Sequence, residues 1–169
     1  NLLNGNTEQI ENALINKEIE IGIVEGHSKN KSIQYIEFLK DELVLVCKSS
    51  NVLAQKGEFT AADLKNMHFL IREQGSGTLE VIEHALKPLN IKFSDLIIEM
   101  QLGSTESIKS YLLNSDCVAF MSIHAIEKEL KNNELTILDV KNLSMERYFY
   151  IINLQGNNDS LSNLFIKII

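Results

Sequence analysis

The chain has little of what marks membrane proteins and disulfide-stabilised secreted proteins. Its 169 residues include no tryptophan, one proline and two cysteines. No apolar run approaches the roughly 20 residues that span a bilayer, and no basic stretch followed by an apolar one marks a secretion signal. Cys47 and Cys117 each lie in an apolar run, which is typical of buried free thiols. These absences favour a cytoplasmic protein without membrane contact.

Basic residues are also scarce, since 16 lysines and arginines face 23 acidic residues for a formal net charge of −7. An acidic chain repels phosphate backbones, so we expect these residues not to hold nucleic acid by themselves. The hydrophobic content of 44% predicts a packed globular core rather than disorder. The chain opens at Asn1 on NLLNGNTEQI, a pattern typical of a strand that ends just before a helix. We therefore expect the natural protein to begin earlier, with this chain as one of its domains.

Signatures of catalysis and of metal binding are missing as well. The four histidines show no metal-ligand spacing, no Gly-x-Ser-x-Gly motif occurs, and the GSGT sequence lacks the lysine of a phosphate-binding P-loop. We therefore predict no catalytic residue, no metal and no cofactor. Two charged residues leave alternatives open. Glu25 either faces a cleft at a strand end or is solvated, and Arg72 pairs either with an anionic ligand or with a neighbouring carboxylate.

Strand-like and helix-like segments alternate along the chain. Apolar patterns predict strands at residues 19–26, 33–39, 41–47, 68–71, 95–102, 117–121, 135–140 and 147–152. Helices are predicted after the capping residues Asn6 and Thr60, after the loops Gly75–Thr78, Gly103–Thr105 and Met121-Ser122, and over Ser160–Ile169 with Ser160 as N-cap. This alternation predicts an α/β fold with a largely parallel sheet. Ligands of such folds bind at the carboxyl ends of the strands.

Three predicted strands end in loops of small hydroxyl residues that lead into helices. The loops are Gly75-Ser76-Gly77-Thr78, Gly103-Ser104-Thr105 and Met121-Ser122. A helix start exposes N–H groups and partial positive charge, and glycine lets a ligand approach the backbone closely. Three such loops on one side of a sheet can converge on a carboxylate or another small anion. The alternative is that these hydroxyls only cap their helices.

A family resemblance joins these features. The series GNTEQIENAL, IEIGIVEG, DELVLVCKSSNVLA, FLIREQGSGTLEVIEHAL, LGSTESIKSYL and AFMSIHAIEKEL resembles the effector-binding domain of LysR-type transcriptional regulators, in order and spacing from Asn4 to about Phe165. The resemblance implies a periplasmic-binding-protein-like type II fold without catalytic activity. Two α/β subdomains, residues 1–70 with 145–169 and residues 71–144, would enclose an effector, possibly a carboxylate or other small anion.

The resemblance also assigns residues to roles. The cleft positions are Ser76, Gly77, Thr78, Ser104, Thr105 and Ser122 from one subdomain and Glu25 and Gly26 from the other, with Arg72 beside them. It implies a head-to-tail homodimer, and a tetramer in the full-length protein. Ile10 and Leu14 would be exposed on the helix over residues 9–14 and would meet Ile108 and Leu112 of a second copy. DNA would be bound only by an N-terminal winged helix-turn-helix that these residues do not include.

Departures from the family pattern leave two other functions to weigh. Ser115-Asp116-Cys117 replaces the usual glycine pair before the AFMS strand, and Leu79 stands where an arginine often occurs. A solute-binding protein of a transport system shares the fold and is the main alternative. A dehydratase of aromatic biosynthesis is less compatible, because its Thr-Arg-Phe signature is absent.

Overall fold

The computed structural model describes residues 2–26 and 29–156, so the predicted closing helix Ser160–Ile169 and His27 lie outside the described residues. The α-helices are α1 (Thr7–Ile15), α2 (Ala61–Leu64), α3 (Gly77–Leu86), α4 (Thr105–Leu113) and α5 (Glu127–Lys131). The strands are β1 (Gly22–Glu25), β2 (Ile33–Lys48), β3 (His68–Arg72), β4 (Ile97–Leu102), β5 (Val118–Ser122), β6 (Leu135–Ile137) and β7 (Glu146–Leu154). Among these residues, no helix combines the length and apolar character needed to cross a membrane.

In the described residues, seven strands form the sheet structure in the order β1-β7-β2-β5-β3-β4, with β6 paired to β2. β3 is parallel to β4 and β5, whereas β7 is antiparallel to β1 and β2, and β2 is antiparallel to β5 and β6. The prediction of a largely parallel sheet is therefore wrong for the described residues. The predicted strand segments overlap the observed strands. Their pairing partners lie far away in the chain, however, and local sequence patterns do not show whether two paired strands are parallel or antiparallel.

β2 is one long strand of 16 residues, where the sequence predicted two. Its first half, Ile33–Glu42, pairs with β7, and its second half, Leu43–Lys48, pairs with β5 and β6. We call β1, β7 and the first half of β2 the first lobe, with α1 against it. The second half of β2 with β3, β4, β5 and β6 forms the second lobe, so the two lobes share β2 and meet near Asp41.

Three apolar clusters of described residues hold these layers together. α1 buries Ile10 and Leu14 against Val24 and Ile152 of the first lobe. In the second lobe, α3 packs Val81, Ile82 and Leu86 on one face of the sheet, while α4 packs Ile108 and Leu112 on the other. Each helix thus covers a sheet with one apolar stripe, as its sequence period predicts.

Local signals fix several helix ends. Asn6 accepts from the N–H of Gln9 at 3.0 Å while the Gln9 side chain accepts from the N–H of Asn6 at 3.0 Å, which is the predicted capping box. The Asp63 carboxylate likewise accepts from the N–H of Thr60 at 2.7 Å. α3 ends at Leu86, two residues before Pro88, because proline cannot continue the helical hydrogen bonding.

Candidate functional site

The three parallel strands of the second lobe end at the same edge of their sheet. Arg72, Leu102 and Ser122 are the last residues of β3, β4 and β5. The first two strands lead through short loops into α3 and α4, and β5 leads into a 3-10 helix at His124–Ile126. This is the edge at which the sequence predicted the hydroxyl loops to meet, and it faces the end of β1 in the first lobe.

Thr78 and Glu25 meet between the lobes around an arginine. The Thr78 hydroxyl donates to Oε1 of Glu25 and accepts from Nη1 of Arg147 at 3.0 Å. Nη1 of Arg147 also lies 2.6 Å from Oε2 of Glu25. The Arg147 side chain is 4% exposed and that of Glu25 15% exposed, so this ion pair is largely removed from water. Removing Arg147 would leave the Glu25 carboxylate at this junction without its cation.

Ser122 enters the same network through Asp41. The Ser122 hydroxyl donates to Oδ1 of Asp41 at 2.8 Å, and Nε of Arg147 donates to Oδ2 of Asp41 at 2.8 Å. Asp41 and Arg147 are also direct partners in the β2–β7 ladder. His124, which is largely exposed, places Nε2 3.9 Å from Oδ1 of Asp41. We call Glu25, Asp41, Thr78, Ser122 and Arg147 the interlobe network. It has two carboxylates for one guanidinium.

Two glycines allow the lobes to approach closely here. A Cβ atom on Gly77 would lie 2.5 Å from the carbonyl carbon of Glu25, so the start of α3 touches the end of β1 through bare backbone. Gly26 has φ of 132°, a conformation that side-chain-bearing residues rarely adopt. The Thr7 hydroxyl adds a bond of 2.7 Å to the carbonyl oxygen of Glu25. The glycines at these positions therefore serve contact between the lobes.

Ser104, Thr105 and Arg72 form a second cluster beside the network. The Ser104 side chain accepts from the N–H of Ser107 at 3.1 Å, so this hydroxyl caps α4. Nη1 of Arg72 donates to Thr105 at 3.3 Å, and its Nε and Nη2 bond to the carboxylate of Glu73. The Arg72 guanidinium lowers the pKa of Glu73. Arg72 thus pairs with the carboxylate of its neighbour Glu73, while its contact with an anionic ligand stays a prediction.

Ser76 differs from the other hydroxyl residues. It is the N-cap residue of α3, but its side chain makes no capping hydrogen bond. The residue is 3% exposed, and its Oγ atom is buried without a hydrogen-bond partner among the described residues. A buried, unsatisfied hydroxyl is costly, and such atoms are uncommon in native structures. Ser76 therefore has free hydrogen-bonding capacity at the start of α3.

An open groove of about 450 Å³ runs between α1 and α3 beside the network. Its lining includes Gly75, Ser76 and four acidic residues, Glu8, Glu11, Glu80 and Glu83. Burial raises the pKa of Glu11, and the charges of Glu80 and Glu8 act in the same direction, although a hydrogen bond from Tyr35 opposes them. The groove is thus electronegative, which the sequence reading did not anticipate. Within residues 2–26 and 29–156, no group of three or more His, Cys, Asp or Glu residues has the geometry to hold a metal ion.

The four residues predicted for a dimer interface lie inside the chain's own core. Ile10 is 7% exposed, Leu14 and Leu112 are fully buried, and Ile108 is 2% exposed. The prediction that Ile10 and Leu14 are exposed is wrong, because the apolar stripe of α1 packs on β1 and β7. These side chains cannot reach a second copy without unfolding their own lobe.

The sequence reading missed Arg147 and Asp41. Both are charged residues at the buried positions of an alternating strand, and both fall on the same parity as apolar core residues such as Leu43 and Met145. A charged residue in register with core positions is a signal for a buried ion pair. That signal was available in DELVLVC and in MERYFYII.

Comparison with known proteins shows the family of this chain. The LysR substrate binding domain family matches residues 1–169. The HTH-type transcriptional regulator CysL of Bacillus subtilis is 26% identical over 166 residues, which cover 98% of this chain and 54% of that protein. This chain therefore spans about half the length of that relative.

Solved structures give the same fold. The regulatory domain of CcmR from Synechocystis PCC6803, in complex with 2-PG, superposes with a TM-score of 0.84 at 28% identity, covering 96% of this chain and 77% of that one. The effector binding domain of QuiR in complex with shikimate reaches a TM-score of 0.82 at 18% identity, over 96% of this chain and 76% of that one. The second likeness concerns the fold alone. The relatives are transcriptional regulators, so the comparisons do not favour a transport protein. The chain belongs to the LysR substrate binding domain family, with the periplasmic-binding-protein-like type II fold.

Proposed function

We propose that this chain senses a small effector for a LysR-type transcriptional regulator by binding it between the two lobes, without catalysing a reaction. The observation that carries the proposal is the convergence of Thr78 and Ser122 from the second lobe with Glu25 from the first. A ligand at this junction contacts both lobes at once, so its binding energy acts directly on their relative position.

The ligand class follows from the groups at the junction. Arg147 supplies a buried guanidinium, Thr78 and Ser76 supply hydroxyls, and the start of α3 supplies partial positive charge. These groups suit a carboxylate or a phosphate. The CcmR structure, solved with 2-PG, supports an anionic effector by analogy.

Assembly and DNA contact complete the proposal. Pairing of two copies is proposed to involve β4, which ends the sheet and exposes Ile97, Ile98 and Met100. An edge strand with exposed apolar side chains is a ready surface for association. Light scattering at micromolar concentration measures this pairing directly. Contact with DNA is proposed for the half of the related regulators that this chain does not span.

The experiment compares Thr78→Ala with Ser104→Ala. A panel of small carboxylates and phosphates, including 2-PG and shikimate, is first screened by thermal shift, because a ligand that binds only the folded state raises the melting temperature. Titration calorimetry then measures affinity for any hit. Thr78→Ala removes a hydroxyl of the network and should weaken binding about ten- to a hundred-fold.

Ser104→Ala is the matched control, since its hydroxyl caps α4 and contacts no network residue. It should lower stability by about 1 kcal/mol without changing affinity. A hit that binds wild type and Thr78→Ala equally well would contradict the proposed site.

A further inference from the structure

The interlobe network contains one carboxylate that is fixed and one that can be exchanged. Asp41 lies within β2, its side chain is fully buried, and both of its oxygens are bonded, one to Ser122 and one to Arg147. Glu25 is instead the last residue of β1 and keeps 15% of its side chain in solvent. It is followed by Gly26, whose backbone conformation is not available to most residues. A rotation of the Glu25 side chain toward solvent leaves the Asp41–Arg147 pair intact.

Glu25 already occupies the place that suits an anion. Its carboxylate receives the Thr78 hydroxyl and Nη1 of Arg147 at the start of α3. The Ser76 hydroxyl at the same helix start is buried and has no partner among the described residues. Another carboxylate in this place finds the same two donors, beside a helix start that holds one further hydroxyl without a partner among the described residues.

We infer that Arg147 selects an anionic group in the effector, and that Glu25 is an internal anion that the effector displaces. This inference rests on the proposed function and adds the regulation of its site. In the free protein the formal charges of Glu25, Asp41 and Arg147 sum to −1. When an effector carboxylate takes the place of Glu25, the network keeps this formal charge of −1. A neutral ligand that displaces Glu25 takes the negative partner at 2.6 Å away from Nη1 of Arg147 and puts no negative charge in its place.

Competition by Glu25 lowers the apparent affinity for the effector. The free protein holds its lobes together through the Glu25 carboxylate, so an incoming anion must first break two charge-assisted hydrogen bonds. The apparent affinity is the intrinsic affinity multiplied by the fraction of molecules in which Glu25 has left Arg147 and Thr78. Neutralising Glu25 should therefore strengthen anion binding, whereas most substitutions in a binding site weaken it.

The test uses Glu25→Gln, with Glu134→Gln as control. Glu134 is exposed in the second lobe, so its substitution changes the net charge equally without touching the network. The probes are inorganic sulfate, shikimate and the uncharged methyl ester of shikimate, titrated at constant ionic strength by calorimetry and by backbone amide NMR. Circular dichroism confirms that each variant is folded.

The expected result is that Glu25→Gln binds sulfate or shikimate about ten- to a hundred-fold more tightly than wild type and Glu134→Gln do, with amide shifts at Gly77 and Thr78. Arg147→Lys should reverse this gain when added to Glu25→Gln. Glu25→Asp, which keeps the charge on a shorter side chain, should fall between Glu25→Gln and wild type.

Two results would overturn the inference. One is that Glu25→Gln binds no probe anion, or binds it no more tightly than wild type does. The other is that the methyl ester binds as well as shikimate. A neutral effector found in the wider screen would preserve the proposed function while this inference fails. If Glu25→Gln binds anions at Gly77 but no effector of any class is found for wild type, the proposed function fails. The competition between Glu25 and anions for Arg147 is then still supported.

Discussion

Replacing Gly77 by alanine should push the two lobes apart where α3 meets the end of β1. The added Cβ atom would lie 2.5 Å from the carbonyl carbon of Glu25 and 2.7 Å from its Cγ, and closer still to its carbonyl oxygen. Backbone atoms cannot rotate away as a side-chain tip can. Either the end of β1 or the start of α3 must therefore move.

The size of the effect follows from two opposing terms. Insertion of a methyl group into a packed contact costs about 1–3 kcal/mol. Alanine in place of a helical glycine stabilises by about 0.4–1 kcal/mol, because the unfolded chain loses freedom. The net loss of unfolding free energy should be about 1–2 kcal/mol, or roughly 2–8 °C in melting temperature for a domain of this size.

Gly103→Ala is the matched control for this experiment. Gly103 precedes α4 as Gly77 begins α3, but a Cβ atom there meets no other atom within 4 Å. Thermal unfolding followed by circular dichroism should therefore show an unchanged or raised melting temperature for Gly103→Ala and a lowered one for Gly77→Ala. Equal melting temperatures for the two variants would refute the close approach of α3 to Glu25.

Two further predictions concern buried side chains. Leu14→Ala should cost about 2–5 kcal/mol of stability in urea unfolding without changing the sedimentation coefficient, because Leu14 is fully buried in its own lobe; Ile15→Ala, at 39% exposure, is the control. A shift toward monomer at unchanged stability would restore Leu14 as an interface residue. Burial raises the pKa of Cys47 to about 11, so little reactive thiolate exists at pH 8. Ellman's reagent should therefore leave Cys47 unmodified in folded protein and react with it in guanidinium chloride; fast modification in the folded state would contradict this burial.

Features set by neighbouring residues were predictable from the sequence. The capping box of Asn6 and Gln9 and the end of α3 before Pro88 depend on contacts within a few residues, and the structure has both. The three loops at the carboxyl ends of β3, β4 and β5 were also located, because each follows an apolar strand directly.

Features set by distant partners were not predictable in the same way. Arg147 and Asp41 are 106 residues apart, and the sequence around either residue does not identify the other as its partner. The direction of β2 and β7 depends on the same long-range pairing. Ser104 and Thr78 have similar neighbours in the sequence, yet one caps its helix and the other bonds across the lobes. Ser104 is the N-cap residue of α4, whereas Thr78 lies inside α3, where it faces the end of β1.

The pairing of β7 with β1 and β2 has a consequence for the order of folding. Among the described strands, β1 and the first half of β2 find their ladder partners only in β7, whose residues are synthesised more than 100 positions later. We expect the second lobe to form its ladders first, because most of its pairings close shorter stretches of chain. Pulsed hydrogen exchange during refolding should protect the amides of β5 before those of β1. Protection of β1 first would show that the first lobe does not wait for β7.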